Sequence, residues 1–108
     1  MKNSKQQSMK LKLTKAEFDA LYSFFTVMIK DAKPAGMNSR MLLSILMDIY
    51  EKMYRKAFKR KEKYTVVLKD HEAIGFWFFF QKYPFPAEMI FEANLVHQIN
   101  NNIHQKFS

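Results

Sequence analysis

The sequence predicts a small, mainly α fold of four helices with two short strands, in the order β-α-α-β-α-α. Three observations carry this reading. Apolar residues recur at helical spacing through four long segments, two short segments alternate apolar with polar instead, and only two Gly and three Pro interrupt 108 residues. That length accommodates one domain. It is read as residues 9–108, behind a flexible basic tail at residues 1–8.

Met9-Lys10-Leu11-Lys12-Leu13 has the period of a half-buried strand, and Thr14 to Glu17 spells a T-x-x-E capping box. A strand should therefore feed directly into a helix. Phe18, Leu21, Tyr22, Phe25, Met28 and Ile29 form that helix's apolar stripe, which should end near Ala32, before Pro34 and Gly36. Asn38 or Ser39 can cap a second helix running to about Lys61. It places Leu42, Ile45, Leu46, Ile49 and Met53 on one face, with Leu43, Met47, Tyr50, Tyr54 and Phe58 beside them. So wide an arc predicts a central helix contacted on two sides.

Tyr64-Thr65-Val66-Val67-Leu68 is β-branched and aromatic and reads as the second strand, after which Asp70 can cap a third helix to about Lys82. Each residue before a proline is pushed out of helical geometry, so Tyr83-Pro84-Phe85-Pro86 is an extended connector. Pro86 then suits the first turn of a final helix striped by Phe91, Leu95, Val96, Ile99, Ile103 and Phe107.

The two halves echo each other. Leu13-Thr14-Lys15-Ala16-Glu17 and Leu21-Tyr22-Ser23-Phe24-Phe25 align without gaps on Leu68-Lys69-Asp70-His71-Glu72 and Phe76-Trp77-Phe78-Phe79-Phe80. A weak internal pseudo-repeat of this kind would let the two strands pair across a pseudo-twofold axis, supported from behind by the helices, because an isolated ribbon is marginal in water.

The net charge is +8 and is concentrated. Residues 1–15 hold five Lys and no acid, and residues 52–63 hold seven Lys or Arg against Glu62. Such a balance favours polyanionic partners, nucleic acid or an acidic protein among them. The absence of Cys excludes disulfides, thiolate metal sites and a cysteine nucleophile, and fits a reducing cytoplasm. The N-terminus lacks the apolar core of a signal peptide, and the apolar run Ile74 to Phe80 is far short of the roughly 20 residues of a membrane helix.

Lys52, Arg55, Lys56 and Lys59 fall at i, i+3, i+4 and i+7, with Arg60 following, which is one arc of the second helix and a spacing able to track phosphates. The plainer reading is a solvated face with cations gathered at the helix C-terminus by the macrodipole. Tyr50, Tyr54 and Phe58 point away from that arc and are expected in the core rather than stacking on bases. Ile74 to Phe80 leaves no polar face over two turns, so Phe76, Trp77, Phe79 and Phe80 read either as core or as the interface of a homo-oligomer or protein partner.

Little points to catalysis. His97 and His104 are two turns apart, too far for one metal ion, and are expected to face solvent. His71 sits in none of the familiar catalytic motifs, and Glu88 and Glu92 lack any sign of an enclosing pocket. No cofactor is called for. The expectation is a non-catalytic binding protein that contacts nucleic acid or another polyanion through Lys52, Arg55, Lys56, Lys59 and Arg60, with the Lys-bearing N-terminal segment as a second contact. The alternative is a self-associating module built on the aromatic helix, its charge serving solubility.

Overall fold

Alternating apolar and polar side chains give β1 (Ser8–Thr14) and β2 (Lys63–Lys69) one wet and one dry face. The structure, a computed structural model, describes residues 8–81 and 83–108. The elements follow the expected order: β1, α1 (Lys15–Lys30), α2 (Gly36–Ala57), β2, α3 (Asp70–Phe80) and α4 (Ile90–Phe107). The tail expected over residues 1–8 falls outside the described residues except for Ser8, which already belongs to β1.

β1 and β2 pair antiparallel as a two-stranded ribbon, with Leu11 opposite Val66, 55 positions further along the chain. The two strands have the same length, and the same offset separates their first residues, their last residues and the starts of α1 and α3. Met9, Leu11, Leu13, Tyr64, Val66 and Leu68 turn inward and are all buried. Burying a side chain of this size contributes about 1.5–3 kcal/mol, and this holds a ribbon that would not persist alone.

Thr14 caps α1 as its sequence predicts. Its backbone is extended, its hydroxyl accepts from the Glu17 N–H (3.2 Å), and its own N–H donates to the Glu17 carboxylate (2.9 Å). At the corresponding place in the second half, the Lys69 N–H donates to Glu72 (2.8 Å). Lys69 is therefore the residue that precedes α3, and Asp70 is its first residue rather than its cap. Lys82, the expected end of this helix, lies outside the described residues, and α3 ends at Phe80.

α2 departs from expectation at both ends. It starts at Gly36, ahead of Asn38 and Ser39, without a capping side chain, because the glycine adopts φ 85°, a left-handed turn that its lack of a Cβ permits. It stops at Ala57, short of Lys61. There the buried Tyr64 of β2 reaches back: its hydroxyl donates to the Lys59 carbonyl (2.7 Å) and accepts from the Lys61 N–H (3.2 Å), so these groups serve the connector rather than a longer helix. α4 is also shorter than expected. Pro86 begins a turn closed by Met89 N–H to the Pro86 carbonyl (3.0 Å), and the helix starts only at Ile90, leaving Phe91 exposed.

The helices pack both within each half, α1 on α2 and α3 on α4, and across the two halves, α1 on α4 and α2 on α3. The shared core joins the ribbon's inward face to Phe18, Leu21, Phe25, Leu46, Ile49, Met53, Phe76, Leu95, Val96, Ile99 and Ile103. Phe24 is buried as well, against Phe80, Tyr83 and Phe85, so the Tyr83–Pro86 connector closes one end of the core. At Gly75 of α3 the backbone comes so close to Ile45 of α2 that a Cβ would lie 2.8 Å from Ile45 Cγ2. No described helix is long and apolar enough to cross a membrane.

Candidate nucleic-acid interface

The strand alternation that buries one ribbon face sets the composition of the other. Ser8, Lys10, Lys12 and Thr14 on β1, and Lys63, Thr65, Val67 and Lys69 on β2, all point outward and are exposed. The register makes four cross-strand pairs of them: Ser8 with Lys69, Lys10 with Val67, Lys12 with Thr65, and Thr14 with Lys63. Each pair contributes one lysine and one small uncharged residue, and none contributes an acid. The lysines thus lie on β2 at both ends and on β1 in the middle.

This face was only half legible in the sequence. Lys10 and Lys12 belong to the basic N-terminal segment and Lys63 to the basic run of residues 52–63, but the sequence reading does not join the two, and Thr65, Val67 and Lys69 are not among its candidates. The period-2 pattern of Tyr64, Val66 and Leu68 was the available signal, because it fixes the odd positions of β2 as outward.

The five cations expected to form a helix-face patch are placed unequally. Lys52 is turned to structural use: its ammonium pairs with the Glu72 carboxylate and donates to the Val67 carbonyl (2.8 Å) on β2, satisfying an acceptor of a ribbon strand that has no second neighbour. Arg55 is exposed and reaches Glu51 one turn back (3.2 Å). Lys56 is half-buried, and Lys59 and Arg60 are exposed in the connector that Tyr64 anchors. The Lys15 N–H bonds the Glu62 carbonyl (2.9 Å) at the same end of the ribbon, so Lys59, Arg60 and Lys61 extend the basic surface beyond Lys63. Lys15 itself pairs with Asp19 (3.1 Å).

The aromatics of α2 do not follow the expectation of a core position. Tyr50 is half-buried, but Tyr54 is 47% and Phe58 73% exposed. A line of rings runs out to them. Tyr64 stacks on Phe18 (4.0 Å between centroids), Phe18 on Tyr22, Tyr22 on Tyr50 (5.4 Å), and Tyr54 and Phe58 follow along α2. Burial, and then the nearby Tyr50 and Tyr54, push the Tyr22 hydroxyl up to about 12, so it stays protonated at neutral pH. Tyr54 and Phe58 lie on the uncovered side of the end of α2, while Met53 and Ala57 beside them pack against the core.

The aromatic set of α3 divides too. Phe76 and Phe80 are filled in by the chain's own core, Trp77 and Phe79 keep exposed edges, and the residues turned outward are Ile74 and Phe78. Trp77 stacks on His104 of α4 (6.2 Å), which with His97 is exposed, as expected. These residues rim a groove of about 510 Å³ between α3 and α4, where Asn100 donates to the Trp77 carbonyl at the long limit of 3.5 Å.

Asp48, His71 and Glu72 bring possible metal-ligating atoms within 4.8 Å of one another. The donor set suits a divalent cation poorly. One Glu72 oxygen already accepts both the Lys52 ammonium and the Lys69 N–H, and a lysine at that point repels added positive charge. Burial alone would raise the Glu72 pKa, but these two hydrogen bonds and the charges of Lys52 and His71 outweigh it and hold the carboxyl below its ordinary value.

No protein-family model matches the chain, and no curated protein and no solved structure shows significant similarity to it. Its function is therefore argued from its own geometry.

Proposed function

We propose that this chain is a non-catalytic protein that binds nucleic acid, with the outward face of the ribbon as its main contact surface. One observation carries the reading: four lysines and no acid occupy the ribbon's outward positions, where the core makes no demand on residue type. Arg55, Lys56, Lys59 and Arg60 add further cations in the last turn of α2 and in the connector that joins it to β2. Lysines of this kind exchange condensed counterions for phosphate contacts, which yields salt-dependent affinity without sequence preference of its own. We read the two halves as a pseudo-repeat, on the equal strand lengths, the common offset of 55 and the matched Glu17 and Glu72 caps. A cysteine-free chain is suited to a reducing compartment, and the cytoplasm is where this reading puts it.

The test is anisotropy of labelled single- and double-stranded 20-mers, and of polyglutamate as another polyanion, titrated with protein across a salt series. Saturable binding to oligonucleotides, with log K falling by roughly 4 per decade of salt, is expected from Lys63 and Lys69 at the ribbon ends and Lys59 and Arg60 in the connector. Absence of binding to either oligonucleotide at 50 mM salt removes the reading, and equal affinity for polyglutamate reduces it to charge alone.

A second reading rests on Ile74 and Phe78, one turn apart on α3 and 47% and 62% exposed. Together with the edge of Trp77 they offer an apolar surface for a second copy of the chain. Sedimentation equilibrium of the parent and of Phe78→Asp checks it. A dimer that the substitution splits favours self-association, and a monomer excludes it.

A further inference from the structure

Resting on the nucleic-acid reading, we infer that the ribbon seats in the major groove of double-stranded DNA and that it reads an asymmetric site, with guanine under β1 and thymine under β2. A two-stranded ribbon has the dimensions for this. Its strands lie about 4.8 Å apart, and the B-DNA major groove, roughly 12 Å wide, admits such a ribbon with its side chains. Seven residues extend about 23 Å, close to the length of seven base pairs. The A-form major groove of duplex RNA is too narrow for side chains to read, and the ribbon has no aromatic on its outward face to stack a single strand.

The asymmetry follows from residue identity at equivalent positions. The ribbon's local twofold passes through the pair Leu11 and Val66, and it relates Lys10 to Thr65 and Lys12 to Val67. Two identical strands would present identical side chains to two halves of a palindrome. Here the central outward positions are both lysines on β1, and a threonine and a valine on β2. A lysine ammonium donates to guanine O6 and N7, while a threonine or valine methyl group packs on the thymine methyl. Val67 is 40% exposed at the middle of a basic face, where a hydrophobic side chain serves neither the core nor solubility, and the thymine methyl gives it a partner. Lys69 and Lys63 at the ribbon ends, with Lys59 and Arg60 beyond, are left for phosphates.

Selection of bound 20-base-pair duplexes from a random pool, by the parent and two outward-face variants, tests this. The parent should select a non-palindromic site, and replacing its guanines by adenine should weaken binding about tenfold. Lys10→Thr/Lys12→Val makes the strands alike at the centre and should select a palindromic, thymine-bearing site with that guanine preference gone. Thr65→Lys/Val67→Lys should select a palindromic, guanine-bearing one. All four positions face outward, and unchanged melting temperatures confirm that the variants fold. A palindromic or featureless parent site, variants that keep the parent's site, or equal affinity for duplex RNA or single strands would each overturn the inference and leave nucleic-acid binding standing. A parent that retains no nucleic acid at low salt overturns both.

Discussion

Lys52 of α2 reaches across to Glu72 in the first turn of α3, and that one carboxylate oxygen also accepts the Lys69 N–H at the end of β2. Three elements are tied at a single atom. Glu72 is almost fully enclosed, with 4% of its side chain exposed, while Lys52 keeps 28%. Removing the lysine leaves a buried carboxylate with one neutral donor. Lys52→Met should lower stability by about 2 kcal/mol, less than for a fully enclosed pair because water reaches the lysine, and Lys52→Met/Glu72→Gln should recover part of the loss in urea melts.

The same carboxyl makes the fold sensitive to acid. Its pKa when folded lies below the ordinary 4.5, so the ionised form stabilises the protein above about that pH, and the contribution is lost as pH falls through the folded value. Melting temperatures taken from pH 7 down to pH 2 should decline below about pH 4.5, and Glu72→Gln should show a shallower decline than the parent.

The two helix starts are capped differently. Thr14 contributes its hydroxyl, whereas Lys69 contributes only its backbone N–H. Thr14→Ala should therefore cost about 1 kcal/mol, while Lys69→Ala should stay within about 0.5 kcal/mol of the parent in the same chemical denaturation assay.

At Gly75 two effects oppose each other. Alanine gains about 1 kcal/mol in helix propensity, but its Cβ would meet Ile45 Cγ2 at 2.8 Å and Cδ1 at 3.0 Å. Overpacking costs about 1–3 kcal/mol, so Gly75→Ala should be destabilising by about 1 kcal/mol. In an Ile45→Ala background the contact is gone and the same substitution should stabilise. A double-mutant cycle measures the reversal.

Charge removal should follow the placement of each cation. Lys59→Gln/Arg60→Gln should lower the salt slope of oligonucleotide binding by about two units, since both side chains are exposed. Arg55→Gln should have a smaller effect because Arg55 already engages Glu51.

The element order, the capping box at Thr14 and the inward residues of both strands could be read directly, because these depend on local periodicity and on hydrogen bonds three residues apart. The ends of α2 and α4 could not. They are set by Tyr64 holding the Lys59 carbonyl and by the turn from Pro86 to Met89, one of which comes from another element. The basic arc of α2 was visible as spacing, yet spacing does not show that Lys52 faces Glu72, 20 positions away, nor that Tyr54 and Phe58 are left bare.

By itself, then, the sequence determined which residues lie on each face of each element: the pattern of period 2 or 3.6 is a property of neighbouring side chains. Only the tertiary structure decided which faces are covered and how the cations are grouped. Pairing β1 with β2 in one register brought Lys10, Lys12, Lys63 and Lys69 from segments 55 positions apart onto a single surface, and Lys52 is drawn out of the helix-face arc to Glu72. Register and helix packing are long-range choices, fixed by the burial of one shared core, and no local window of sequence contains them.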